Sequence, residues 1–267
     1  MVLALVLTLL AGLSTLIGGL LGLHKNIIRR GTLAVALGFA AGAMLLVSFV
    51  EMIPAAQLSI AKEYGNAALA ITLAAFFVGM LLVAVIDRLL PDSLNPAERE
   101  GLENEPHDGL SSSERKRLKR SGLLVALAIG LHNFPEGLVT FVGTMQDPHL
   151  GIVLAIAIAI HNIPEGIAVA APVYAATGSR KKAFAYTTLS GLAEPIGAIA
   201  GYVVLAAILP PGLIGALFAS VAGMMVFISL HELLPAAGRY ASSKHQVIYG
   251  TMSGMAVMAA SLVLLQF

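Results

Sequence analysis

Eight apolar stretches, each long enough to cross a bilayer, constrain this 267-residue chain more than any other feature. A spanning helix needs about 20 predominantly apolar residues. Such stretches are read at about 2–23, 33–56, 67–90, 121–145, 150–175, 183–209, 212–236 and 246–267. Hydrophobic residues make up 58% of the chain and charged residues 12%, against about 25% charged in soluble domains. Folded in water, such a chain would expose large apolar surfaces. The reading is therefore an all-α membrane protein of eight transmembrane helices, a single domain over 1–267. The first stretch lacks the basic start of a signal peptide. Its Gly12, Gly18, Gly19 and Gly22 suit helix packing better than cleavage.

Polar residues concentrate at 91–120, where Gly, Pro, Ser and acidic residues precede the run ERKRLKR. This reads as a mobile cytoplasmic loop. Beside a membrane span, its basic run reads as a topology signal, not a nucleic-acid contact. With the N-terminus outside, every Lys and Arg except Lys62 falls in loops 1–2, 3–4, 5–6 and 7–8 or at their borders. Positive-inside bias then places both termini on the non-cytoplasmic side of an inner membrane. A wrong span count would scatter these charges over both faces.

The sequence also repeats. AGAMLLVSFVEMIPAA at 41–56 and AGMMVFISLHELLPAA at 222–237 are identical at eight of sixteen positions. AGLSTLIGG at 11–19 resembles SGLAEPIGA at 190–198. Spans 1–3 and 6–8 thus read as copies. Three spans per copy make the copies cross in opposite senses, the inverted repeat common in transporters. Spans 4 and 5 lie between them and carry HNFPEG at 132–137 and HNIPEG at 161–166. The arrangement is 3+2+3.

Those hexapeptides hold the chemistry. Helical spacing brings His132, Asn133 and Glu136 to one face, and likewise His161, Asn162 and Glu165. Pro135 and Pro164 disrupt the bonds to the carbonyls of Leu131 and Ile160. Such carbonyls at membrane depth need another partner or a polar cavity. Glu194 lies midway in span 6, and Pro195 after it is expected to open the helix. An acidic residue at the bilayer centre costs roughly 2.5–3.5 kcal/mol. No Lys or Arg occupies the central part of any span, so protons, metal ions or both must meet these carboxyls. A protonated Glu serving as interhelical glue explains one such residue less strainedly than a converging set. The chain has no Cys, which excludes disulfides and thiolate sites. Imidazole with carboxylate suits Zn, Fe(II), Mn or Co, whereas Mg prefers oxygen alone. Two His and two bridging Glu suffice for one ion; two Asn, the same Glu pair and Glu194 suffice for a second.

HNFPEG, HNIPEG, SGLAEP and HELLPAA resemble the ZIP (Zrt/Irt-like) metal transporters, especially their bacterial ZupT-type branch, over essentially the whole chain. By that resemblance His132, Asn133, Glu136, His161, Asn162, Glu165 and Glu194 are transport-site ligands. The assembly is commonly dimeric, divalent metal moves into the cytoplasm, and the substrate range is broad. No prosthetic group is expected, and the partners are divalent ions and membrane lipid. Many relatives carry a His-rich cytoplasmic loop, whereas this one has only His107.

The repeat suggests Glu51 at an entrance, and Asp87, His231 and Glu232 as an exit relay. The alternative for these is interfacial contact with water. His24, His149 and His245 are expected to be solvated, and the ten Met to fill packing gaps. An intramembrane metalloenzyme is disfavoured: the one HE pair, His231–Glu232, has Pro235 where HExxH requires His. An exporter or channel with the same ligands is separated from an importer by direction of flux.

Overall fold

The computed structural model describes residues 1–24, 30–89, 130, 133–205 and 210–265. The expected 91–120 loop, the start of span 4 and His132 lie outside them. Among the described residues the chain is helical, without strands. Helix α1 is Val2–Leu21 and α2 is Arg30–Val47. A π turn, Ser48–Met52, joins α2 to α3, Ile53–Tyr64. The left-handed-side Gly65 (φ 51°) and a 3₁₀ turn then lead into α4, Ala68–Leu89. Residues 133–146 form α5, and α6 is Pro148–Thr177. Helix α7 is Arg180–Leu205. Helix α8, Pro211–Ile228, continues through a second π turn, Ser229–Leu233, into α9, Leu234–Tyr240. Helix α10 is Lys244–Leu265.

Local chemistry sets these boundaries. Asp147 caps α6 by accepting from the backbone N–H of His149 (2.9 Å) and Leu150 (3.4 Å). Gly178 ends it with φ 61°. The α2–α3 helix runs eight residues past the expected end of span 2 at 56, to Tyr64. Polar residues such as Gln57, Lys62 and Glu63 lie beyond the apolar stretch but continue the helical hydrogen bonding. Helix α7 does not open at Pro195: it is continuous through it, as α6 is through Pro164. A proline removes one backbone bond, and close neighbours keep the helix intact.

Five stretches of the described residues are long and apolar enough to cross a membrane: Val2–Leu21, Gly31–Arg88, Pro148–Ala171, Pro211–Tyr240 and His245–Leu265. The second contains both α2–α3 and α4, separated at Gly65. Large apolar side chains such as Leu10, Phe77, Leu81, Ile196 and Val263 are exposed on the outside, as lipid contact requires. The protein is a multi-pass, all-α membrane protein.

Small residues set the packing, because lipid offers helices no hydrophobic drive to associate. Helix α1 packs on α6 and α7, α2 on α10 and α6, and both α3 and α4 on α8. Gly12 of α1 and Gly191 of α7 each abut the carbonyl oxygen of the other. Further close contacts come in matched pairs. Gly18 meets the carbonyl of Ile163, and Gly197 meets that of Phe134. Gly166 meets the carbonyl of Thr15, and Gly137 meets that of Glu194. In every pair the partners occupy the same places in the aligned sequence segments. The π turns match as well. Ser48 Oγ donates to the carbonyl of Met44 at 2.7 Å, and Ser229 Oγ to that of Met225 at 2.8 Å.

Candidate metal centre

Three helices position the hexapeptide residues. Helix α5 carries Asn133 and Glu136; α6 carries His161, Asn162 and Glu165; α7 carries Glu194. All six are buried, none more than 1% exposed. Their burial follows from the glycine contacts, since Gly137 against Glu194 and Gly166 against Thr15 draw the backbones together one turn away.

The side chains converge. His161 Nε2 lies 3.6 Å from Glu136 Oε2, linking α6 to α5. Asn162 Nδ2 donates to Glu194 Oε1, linking α6 to α7. Glu136 and Glu165 both lie within electrostatic reach of Glu194. His132 lies outside the described residues.

Both asparagine amides are tethered to backbone. Asn162 Nδ2 also donates to the carbonyl of Ala11 at 3.0 Å. Asn133 Nδ2 donates to the carbonyl of Ser190 at 3.4 Å. Ala11 and Ser190 head the two aligned segments, so the tethers are counterparts. Each tether uses the donor end of the amide and leaves Oδ1 to face away from it. The sequence reading named the asparagines but missed these anchors. A carbonyl acceptor has no side-chain signature; only the alignment of 11–19 with 190–198 hinted at it.

Among the described residues, both carboxyl oxygens of Glu136, Oε2 of Glu194 and Oδ1 of Asn133 and Asn162 accept no hydrogen bond. Buried polar atoms are normally paired, and buried carboxyls sharing one space cannot all ionise without a cation. The donor set here combines imidazole with amide and carboxyl oxygens. That chemistry fits a divalent transition-metal ion as cargo.

A second cluster lies by the C-terminal end of α4. Asp87 of α4 and His231 and Glu232 of the second π turn offer ligand atoms mutually within 4.8 Å. His231 Nδ1 is 3.3 Å from Glu232 Oε1 and 3.8 Å from Asp87 Oδ2. Phe227 stacks on the His231 ring at 4.9 Å between centroids. The three side chains, expected together from sequence, are brought together and are partly exposed. Glu51 occupies the matching π turn and is half-buried. His149, expected to be solvated, is exposed, yet its Nε2 lies 2.8 Å from the carbonyl of Leu265.

Comparison with known proteins agrees with this chemistry. The family described as "ZIP Zinc transporter" matches residues 88–262. A protein named zinc transporter ZupT from Streptococcus mutans is 51% identical over 262 residues, covering 98% of this chain and 97% of its own. Proteins of the same name from Nitratidesulfovibrio vulgaris and Chlorobium limicola are 52% and 53% identical, over 97% and 98% of this chain and 95% and 97% of theirs. The chain belongs to the ZIP family of zinc transporters, a family of carriers rather than enzymes, and groups with its ZupT-type members.

Proposed function

We propose that this protein carries zinc across the inner membrane into the cytoplasm, with iron(II), manganese and cobalt as further cargo. The ligands are His132, Asn133, Glu136, His161, Asn162, Glu165 and Glu194, arranged for one ion or two. The observation that carries this reading is the set of buried carboxyl and amide oxygens on α5, α6 and α7 that accept no hydrogen bond among the described residues. The names of the relatives support zinc as cargo.

The architecture of the reading is eight spans in a 3+2+3 order, with spans 1–3 and 6–8 an inverted repeat and both termini outside. The matched glycine contacts and paired π turns support it. Transport proceeds by alternating access, one repeat rocking against the other about the buried ligands. Glu51 serves the entrance, and Asp87, His231 and Glu232 receive the ion at the exit. An inside-negative potential favours entry by about 2.3 kcal/mol per charge per 100 mV, twice that for a divalent ion. The family resemblance suggests a homodimer.

Purified protein in proteoliposomes tests the reading, with Zn, Fe(II), Mn, Co or Mg outside and an imposed inside-negative potential. Saturable entry of the transition metals but not Mg is expected. Efflux alone, or equal passage of Mg, contradicts it.

A further inference from the structure

Ten Ser and Thr side chains among the described residues are buried. Eight of them turn back onto a carbonyl of their own helix, as hydroxyls in apolar surroundings do. They are Thr8, Ser14, Ser48, Thr72, Thr140, Thr144, Thr187 and Ser229. The two exceptions are Thr15 and Ser190, whose Oγ atoms have no partner among the described residues. Thr15 is 0% exposed and Ser190 is 1% exposed.

Their positions are not arbitrary. Thr15 lies one turn from Ala11 on α1, and Ser190 lies one turn from Glu194 on α7. Helices α1 and α7 cross at Gly12 and Gly191, and a Cβ on Gly191 would lie 3.2 Å from Thr15 Cβ. Both hydroxyls therefore sit beside the crossing that holds Asn162 and Glu194. Ser190 supplies the carbonyl that anchors Asn133. The reason Thr15 does not turn back is also visible. The carbonyl it would use, that of Ala11, already accepts from Ser14 Oγ at 2.6 Å and from Asn162 Nδ2 at 3.0 Å. Tethering the asparagine thus displaces the threonine hydroxyl from its own helix.

We propose that the hydroxyls of Thr15 and Ser190, directly or through one held water, are further oxygen ligands for an ion in the Asn133–Asn162–Glu194 half of the site. They shift that half toward manganese(II) relative to zinc. Zinc favours four ligands and accepts imidazole readily, so the His161–Glu136 half suits it. Manganese(II) favours six oxygen-rich positions. Two asparagine oxygens, the Glu194 carboxyl and two hydroxyls supply that chemistry. A water there would have enough polar partners to be held. The inference rests on the carrier reading above and extends it to discrimination among cargo ions.

The test compares wild type with Thr15→Val/Ser190→Ala in detergent and in proteoliposomes. Manganese(II) binding is read by electron paramagnetic resonance, and manganese and zinc uptake are read in parallel. Manganese affinity is expected to fall about tenfold more than zinc affinity, with Thr15→Ser retaining the wild-type ratio. Parallel changes for both ions, or no change in the ratio, would overturn the proposal. If wild type binds manganese but carries neither ion, the carrier reading fails while the binding ratio still decides the role of the hydroxyls. Should the double variant not fold, Ser190→Ala alone is read the same way, with a threefold change in ratio expected and none contradicting.

Discussion

Glu194 on α7 accepts a hydrogen bond from Nδ2 of Asn162 on α6, and that same nitrogen holds the carbonyl of Ala11 on α1. One amide thereby joins three helices and fixes which of its ends faces the ligand cluster. Asn133 repeats the device toward Ser190. The amide oxygens are oriented by the backbone before any ion arrives.

Removing the Glu194 carboxyl should release one of these constraints and delete an oxygen ligand. Loss of a partner that orients a ligand typically costs 10–100-fold in metal affinity. Glu194→Ala is expected to weaken zinc binding at least about tenfold by isothermal titration. Unchanged affinity would remove Glu194 from the site.

The Asp87–His231–Glu232 cluster should act after the buried ligands. Glu232→Gln is expected to slow delivery of zinc to a fluorescent chelator inside vesicles, with binding to the purified protein less affected. Wild-type delivery rates would exclude the exit role.

Close packing makes a sharp contrast between two glycines. A Cβ on Gly137 would overlap the backbone carbonyl of Glu194, whereas one on Gly238 meets nothing within 4 Å. Gly137→Ala should destabilise by about 1–3 kcal/mol through overpacking. Gly238→Ala, within helix α9, should stabilise by about 0.5–1 kcal/mol. Thermal melting in detergent reads both, and equal shifts would contradict the packing described.

Cargo should stabilise the protein that binds it. Zinc at a hundred times its dissociation constant adds about 2.7 kcal/mol by mass action. A chelator is expected to reverse the gain, and Mg at the same concentration to give none. Equal stabilisation by Mg would point to nonspecific surface binding.

Much of this was legible in the sequence because hydrophobic runs and repeated motifs are written in side chains. HNFPEG and HNIPEG identified the buried Asn133, Glu136, His161, Asn162 and Glu165. The likeness of 41–56 to 222–237 marked the two segments as copies, and Ser48 and Ser229 hold equivalent places in them. Other features depend on backbone, which carries no sequence signal. The π turns, the carbonyl anchors at Ala11 and Ser190, and the continuity of α7 through Pro195 are of this kind. The extension of α3 to Tyr64 was missed because apolarity ends where the membrane reading ends, while helical hydrogen bonding does not. Thr15 gave no signal: only the occupied carbonyl of Ala11 singles it out.

The central claim is that the buried carboxyl and amide groups carry the ion, and Glu136 tests it most directly because His161 touches it and neither of its oxygens accepts a hydrogen bond among the described residues. The measurement is initial zinc uptake into proteoliposomes by wild type and Glu136→Ala, with folding and insertion verified for both. The account predicts saturable zinc entry in wild type and near-complete loss of uptake in the variant. Equal uptake by the two proteins would contradict it.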